Sequence, residues 1–119
     1  MSNSQKNLYK KFLGDKGELI ALKFLKSKGY KILDKNYKTK FGEADIIAVK
    51  DNVICFIEVK TRTSTKFGTP AEAVDYRKQT KYRNLATFYI QKNNLDDFSV
   101  SFIVAEVMDN NVNLILDSF

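Results

Sequence analysis

Two short apolar runs, separated by a polar pair, constrain most strongly what this chain of 119 residues folds into. Residues 44–49 read ADIIAV and residues 53–60 read VICFIEVK. Asp51 and Asn52 lie near the middle of this segment and are typical of a tight turn. The segment therefore predicts an antiparallel hairpin. Because it lacks a clean polar alternation, we expect its strands to be covered on both faces.

Three ionisable residues interrupt this apolar hairpin in the pattern D-x12-E-x-K: Asp45, Glu58 and Lys60. Side chains alternate along a strand, so Glu58 and Lys60 share a face. If the hairpin turns symmetrically about residues 51–52, paired residue numbers sum to 103. This register places Asp45 opposite Glu58, and Glu43 opposite Lys60.

Two opposed carboxylates need a physical reason to remain together. Directly opposed side chains have Cβ atoms about 4.5–5.5 Å apart, and like charges at that separation repel. Mg²⁺ or Mn²⁺ would relieve the repulsion, because such hard cations bind carboxylate oxygens, waters and phosphates. Lys60 would then orient a water or neutralise charge on phosphorus. The alternative is an ordinary surface hairpin with a Glu43–Lys60 ion pair, which leaves Asp45 opposite Glu58 unexplained.

The amino-acid composition limits the partners, the chemistry and the location that we expect for this protein. The net charge is +6, which favours a polyanionic partner. The chain has no histidine, which excludes histidine catalysis and ligation. Its one cysteine, Cys55, lies in an apolar strand and is expected to be a small buried side chain. No apolar run is long enough to span a bilayer, and the polar N-terminus lacks a signal core, so we expect a cytoplasmic protein without membrane contact.

The order of elements predicts an α/β fold, with a mixed sheet and two helices in the order α-β-β-β-α-β-β. Residues 1–7 are expected to be a mobile tail, and residues 8–119 one domain. A first helix runs from about residue 8 to 28, with an apolar stripe at near-helical spacing: Leu8, Phe12, Leu19, Leu22 and Leu25. A capping box with proline at the first helical position, TPAE at 69–72, begins a second helix that runs to about Lys92.

Glu18 and Lys78 are the candidate site residues on the helices. Glu18 borders the apolar face of the first helix, where it either reaches a site at the end of the sheet or stays solvated beside a lysine. Lys78 interrupts the apolar stripe of the second helix, so it either extends to the surface or points to the acidic hairpin. Its neighbour Gln79 is a candidate hydrogen-bonding partner of a phosphate or water.

Other basic residues are candidate phosphate contacts. Arg62 follows Lys60 by two residues, so the alternation places it on the Glu58–Lys60 face. Lys66, Lys81 and Arg83 come next. Each one alone is more typical of a solvated surface, so the hypothesis depends on their clustering.

Several segments together resemble the YraN-like family of small bacterial proteins, over roughly residues 8–107. They are GE at 17–18, GYKIL at 29–33, NY at 36–37, GEADII at 42–47, FIEVKTR at 56–62, FG at 67–68, AEAV at 71–74 and RK at 77–78. That family is assigned to the PD-(D/E)xK nuclease superfamily and is similar to archaeal Holliday junction resolvases. The resemblance implies a restriction-endonuclease-like fold, with Glu18, Asp45 and Glu58 as metal-binding acids and Lys60 as the catalytic lysine.

The sequence departs from the pattern at two places. Ala44 stands where the superfamily motif has proline, which changes no reacting group. Residues 101–103 read SFI where relatives tend to have Arg-Phe-Asp, so the function of that arginine and aspartate is absent here.

Three hypotheses follow for function. The leading one is a Mg²⁺- or Mn²⁺-dependent endonuclease acting on structured or branched DNA, arranged as a homodimer to cut two strands. The second is a nucleic-acid-binding module that keeps the fold without turnover. The third is a protein-interaction adaptor whose basic charge is incidental.

Overall fold

A computed structural model describes residues 3–62 and 76–116, and shows one five-stranded sheet with a helix on each face. In chain order the elements are α1 (Asn3–Ser27), β1 (Lys31–Thr39), β2 (Gly42–Lys50), β3 (Val53–Arg62), α2 (Tyr76–Lys92), β4 (Ser99–Met108) and β5 (Asn111–Leu116). The predicted fold class and order of elements are confirmed. The predicted start of α2 at residues 69–72 lies outside the described residues. Neither described helix is long and apolar enough to cross a membrane.

The strands lie side by side in sequence order. All neighbours are antiparallel except β3 and β4, which are parallel. A parallel pair needs a long crossover connection, and α2 lies in this one. The crossover places α2 against the face of the sheet that carries Phe56, opposite α1.

The predicted hairpin register is confirmed where β2 and β3 pair. The partners run from Lys50 opposite Val53 to Ile46 opposite Ile57, and their numbers sum to 103. Asp51 and Asn52 have φ angles of 49° and 65°, as a two-residue type I′ turn requires. The paired ladder ends at Ile46 and Ile57, so Asp45 and Glu58 lie one residue beyond it.

Two apolar clusters, one on each face, hold the sheet between the helices. Ala21 and Leu25 of α1 pack on one face, against residues that include Ile46 and Ile57. On the other face, α2 packs against Ile47 and Phe56 through its own buried residues, Tyr82, Leu85, Ala86 and Tyr89. Because both faces are covered, the central strands are apolar on both sides, as expected from the sequence. Cys55 is buried, also as expected.

The first helix differs from the prediction in two ways. It begins at Asn3, so residues 3–7 are helical where a tail was expected. Polar helix-forming residues such as Gln5 extend a helix that is already nucleated. Three members of the predicted buried stripe face outward instead, with 67% of Leu8, 60% of Phe12 and 53% of Leu19 exposed. Near-helical spacing identified a stripe, but α1 is apolar on two sides, and packing selected the side that contains Ala21.

Gly14 and Gly17 of α1 provide a matched test of how closely the helix approaches the sheet. A Cβ at Gly14 would meet no atom within 4 Å, so Gly14→Ala should raise the free energy of unfolding by about 1 kcal/mol. A Cβ at Gly17 would collide with Thr61 Oγ1 and lie 3.2 Å from Thr61 Cβ. Overpacking costs about 1–3 kcal/mol, so Gly17→Ala should be less stable than Gly14→Ala by that amount in urea denaturation. Equal stability of the two variants would contradict the close approach.

Candidate metal and phosphate site

Asp45 is fixed at the point where β2 and β3 separate. Its Oδ2 accepts a hydrogen bond of 2.8 Å from the backbone N–H of Val59. The carboxylate thus satisfies a backbone donor that the ladder no longer pairs, and its position is tied to β3. Asp45 therefore stays beside Glu58 even though the regular pairing has ended.

Glu58 is the one charged side chain that is almost fully buried in the described part of the chain, with 4% exposure. Its Oε1 lies 3.2 Å from the Nζ of Lys60 and is also ion-paired with Lys78 of α2. Its Oε2 is buried and has no hydrogen-bond partner. A carboxylate oxygen buried without a partner is costly, and a cation or ordered water would satisfy it.

Glu18 reaches the site from α1. It lines a cavity of about 480 Å³ with Leu13, Gly14, Asp45, Val59, Lys60 and Thr61. Burial raises the pKa of Glu18, and the nearby Asp45 carboxylate raises it further. The polar side chain of Asn36 lowers the pKa of Glu18 and so opposes both effects. Of the two positions predicted for Glu18, the structure selects the one at the end of the sheet.

The three carboxylates interact electrostatically, with Asp45 at the centre. Burial raises the pKa of Asp45, the Val59 N–H lowers it, and the charges of Glu58 and Glu43 raise it again. The charge of Asp45 in turn raises the pKa of Glu18. Within residues 3–62 and 76–116, no three acidic side chains lie close enough to form a ready-made metal site. Closure around an ion would thus need side-chain movement in Glu18, Asp45 or Glu58.

A second cavity of about 460 Å³ lies on the α2 side of Asp45 and Glu58, and the wall that α2 forms is basic. It is lined by Gly42, Glu43, Asp45, Glu58, Arg77, Lys78, Lys81, Tyr82 and Leu85. Asp45 lines both cavities. It therefore lies between the cavity that contains Lys60 and the cavity that contains the α2 cations. Acids on the floor and cations on the wall suit a phosphate bound through a metal.

The structure separates the predicted phosphate contacts into two groups. Lys78 and Lys81 line the second cavity, so Lys78 points to the acidic hairpin rather than to the surface. Gln79 is half-buried on α2 but lies outside the residues that line either cavity. Lys66 lies outside the described residues.

Arg62 was predicted to share the site face and does not line either cavity. It borders a hollow of about 160 Å³ beside Gly17, Val107 and Asp109. β3 stays paired with β4 as far as Arg62, which lies opposite Met108. Arg83 lines a groove between α2 and β4 that does not include Asp45 or Glu58.

Sequence reasoning did not identify two residues as part of the site. Arg77 lines the basic wall, and its spacing of four from Lys81 was a signal that both occupy one helix face. Tyr82 was assigned to an apolar stripe, and it is indeed buried. Its hydroxyl is also hydrogen-bonded with the backbone of Asp45. Burial and the charges of Glu58 and Asp45 raise the pKa of the Tyr82 hydroxyl, which keeps it protonated.

These residues fit a hard divalent cation by the chemistry of their donor atoms. Glu58 presents a buried oxygen without a partner, Asp45 lies next to it, and both acids carry oxygen ligands that Mg²⁺ or Mn²⁺ prefers. Glu18 is the third candidate ligand, from α1. The chain has no histidine to contribute a nitrogen ligand.

The raised pKa of Asp45 has a consequence for stability. A folded state that holds a proton more tightly than the unfolded state loses stability as pH rises through the interval between the two pKa values. Asp45→Asn removes this loss and keeps an oxygen to accept from Val59. Without divalent metal, the variant should melt above the native chain at pH 7, and the gap should narrow toward pH 4.

Thermal unfolding followed by circular dichroism at several pH values measures this gap. Asp96→Asn, an exposed aspartate after α2, is the matched control. A gap that is the same at pH 4 and pH 7 would show that Asp45 is not destabilised by its neighbours.

Comparison with known proteins shows which family the chain resembles. The family model described as "Uncharacterised protein family UPF0102" matches residues 17–107, which include Glu18, Asp45, Glu58 and Lys60. A UPF0102 protein of Caldanaerobacter subterraneus is 48% identical over 112 residues, covering 94% of this chain and 92% of its own. One from Clostridioides difficile is 46% identical over 108 residues, covering 89% and 95%. One from Alkaliphilus oremlandii is 50% identical over 99 residues, covering 82% and 85%.

Proposed function

The chain belongs to the uncharacterised protein family UPF0102, and we propose that it is a metal-dependent endonuclease that hydrolyses phosphodiester bonds of structured or branched DNA. The observation that carries the proposal is the environment of Glu58. It is buried with one oxygen lacking a partner, it lies next to Asp45, and the Nζ of Lys60 is 3.2 Å from its other oxygen. A fold that only needed stability would gain by replacing such a group with an apolar one.

In the proposed reaction, Asp45 and Glu58, with Glu18, bind Mg²⁺ or Mn²⁺. When bound, the ion lowers the pKa of a water and polarises the phosphate. Lys60, whose side chain is 30% exposed, is close enough to the acids to orient the attacking water or to neutralise charge on phosphorus. Asp45 stays oriented through its bond from Val59. Lys78, which is ion-paired with Glu58, would face the phosphate from α2.

The shape and charge of the site support an extended polyanion as substrate. Two cavities of similar size meet at Asp45, which suits a backbone that crosses the site more than a small molecule enclosed in one pocket. Arg77 and Lys81 on the α2 wall are suited to a phosphate next to the one that is cut. The net charge of +6 supports salt-dependent binding.

The preference for branched DNA and the homodimer rest on resemblance to the PD-(D/E)xK superfamily and its junction resolvases. Two copies would place two such sites on one substrate and cut both strands. The mixed sheet with a helix on each face is consistent with a restriction-endonuclease-like fold. A DNA substrate also suits the cytoplasmic location expected from the sequence.

The experiment is a cleavage assay with purified protein and either Mg²⁺ or Mn²⁺. Substrates are labelled duplex, single-stranded, flapped and four-way-junction DNA of matched length and sequence. The native chain should nick or cut at least one branched substrate, and EDTA should stop the reaction. Asp45→Asn should cut no substrate, while Asp96→Asn should match the native chain.

Two other outcomes would reject the proposal. Salt-dependent DNA binding with no cutting in either metal would favour the non-catalytic binding module. Cutting that persists in Asp45→Asn would point to a contaminating nuclease and leave the site without its proposed function.

A further inference from the structure

Glu58 is contacted by two ammonium groups, and both lie on the same carboxylate oxygen. The Nζ of Lys60 is 3.2 Å from Oε1, and the ammonium group of Lys78 donates a hydrogen bond to that same atom. The other oxygen, Oε2, is buried and has no hydrogen-bond partner. An ion pair that served only to stabilise the fold would be expected to satisfy both oxygens of a buried carboxylate.

The two lysines approach Glu58 from different cavities. Lys78 lines the cavity of about 460 Å³ together with Asp45 and Glu58. Lys60 lines the cavity of about 480 Å³, to which Glu58 does not contribute. Lys78 is therefore the one of the two lysines that shares a cavity with both acids. Its charge also acts on Asp45, whose pKa it lowers.

The position of the Lys78 ammonium group conflicts with that of a divalent ion. Two cations on one carboxylate repel each other, and the repulsion is strongest where little water separates them. An ion bound by Asp45 and Glu58 must therefore displace the ammonium group or bind against its charge. Displacement is feasible, because the Lys78 side chain is 38% exposed and borders an open cavity, whereas the Glu58 side chain is only 5% exposed.

We propose that Lys78 competes with the divalent ion for Glu58, and that this competition lowers the metal affinity of the chain when no DNA is bound. The inference rests on the proposed function in one respect, that Asp45 and Glu58 bind the metal. A hydrogen bond to a charged group corresponds to about a 10- to 100-fold change in an equilibrium constant. Because solvent screens the charge of Lys78, the effect on metal affinity should lie near the lower end of that range.

Lys78→Met tests the competition, because methionine keeps most of the length of the side chain and removes the charge. We expect the affinity for Mn²⁺, measured without DNA by electron paramagnetic resonance of the free ion, to rise about tenfold. Lys78→Arg keeps a cation at this position and should remain within a few-fold of the native chain. Thermal unfolding without metal checks that each variant is folded.

Lys81→Met is the matched control. Lys81 lines the same cavity, but the ion pairs of Glu58 within the described residues are with Lys60 and Lys78. Its loss should raise the Mn²⁺ affinity clearly less than the loss of Lys78. An equal rise in both variants would indicate a general effect of positive charge and overturn the inference. A fall in Lys78→Met would also overturn it, because Lys78 would then support the metal site.

A second measurement follows the Lys78 side chain directly. Its terminal methylene resonance, assigned by its absence in Lys78→Met, should move when saturating Mg²⁺ is added, because the ion pair with Glu58 ends. An unchanged Lys78 resonance in the Mg²⁺-bound chain would overturn the inference.

The outcome for Lys78 is separable from the outcome for the activity. A chain whose Mn²⁺ affinity rises in Lys78→Met but which cuts no DNA would reject the endonuclease and retain the competition. Cleavage by the native chain, with unchanged Mn²⁺ affinity in Lys78→Met, would do the reverse. Absence of Mn²⁺ binding in both the native chain and Lys78→Met would reject both.

Discussion

Replacing Lys60 by methionine is expected to lower the rate of DNA cleavage by roughly 10²–10³-fold, while Mn²⁺ affinity changes only a few-fold. The Nζ of Lys60 contacts Glu58 but is a cation, so it cannot be a metal ligand. Its loss should remove stabilisation of charge that develops in the transition state and leave the carboxylates in place. Methionine keeps most of the length and apolar contacts of the side chain. Single-turnover cleavage and a separate Mn²⁺ titration measure the two effects.

Lys92→Met is the matched control, because Lys92 is an exposed lysine at the far end of α2. It should cut like the native chain. If Lys60→Met cuts at the native rate, the catalytic role of Lys60 is wrong. If it loses cleavage and Mn²⁺ binding together, Lys60 supports the metal site rather than the chemistry.

Replacing Lys78 by methionine is expected to lower the free energy of unfolding by about 1–3 kcal/mol in metal-free buffer. Lys78 is ion-paired with the buried Glu58, and its removal leaves that carboxylate with Lys60 alone. The lower part of the range is expected because the Lys78 side chain is 38% exposed, so solvent screens its charge. Mn²⁺ should restore most of the lost stability, because the ion replaces the missing cation beside Glu58.

Urea denaturation with and without Mn²⁺ measures the effect, and two further variants define its cause. Lys81→Met, one turn later on the same wall, lacks the Glu58 ion pair and should change stability little. In a Glu58→Gln background, Lys78→Met should cost much less than it does alone, since no buried charge remains. An equal cost in both backgrounds would show that Lys78 acts through packing and not through Glu58.

The hairpin that carries the site was predictable because local rules determine it. The pair Asp51 and Asn52 supports the left-handed turn, and the turn sets the register of β2 against β3. From that register the adjacency of Asp45 and Glu58 followed by counting. Counting residue pairs did not predict that the hydrogen-bonded ladder ends one residue before Asp45 and Glu58. There the Asp45 side chain accepts a hydrogen bond from the Val59 N–H in place of a regular pair.

Predictions that depended on contacts between distant segments were less complete. The apolar spacing of α1 was correct as a pattern, but it assigned Leu8, Phe12 and Leu19 to the wrong side. Alternation placed Arg62 on the Glu58–Lys60 face, and in the structure Arg62 borders a hollow beside Gly17 and lines neither of the two cavities. For α1, the local period is satisfied by more than one arrangement, and packing against the sheet selects among them.

By itself, the sequence determined the order of the elements, the register of the hairpin and the presence of two acids and a lysine at its open end. Those features follow from backbone sterics, strand alternation and turn residues, which act over a few positions. Only the tertiary structure decided that Glu18 and Lys78 converge on that end from opposite faces of the sheet. These contacts join segments that are far apart in the chain, and the packing of both helices on one sheet determines them.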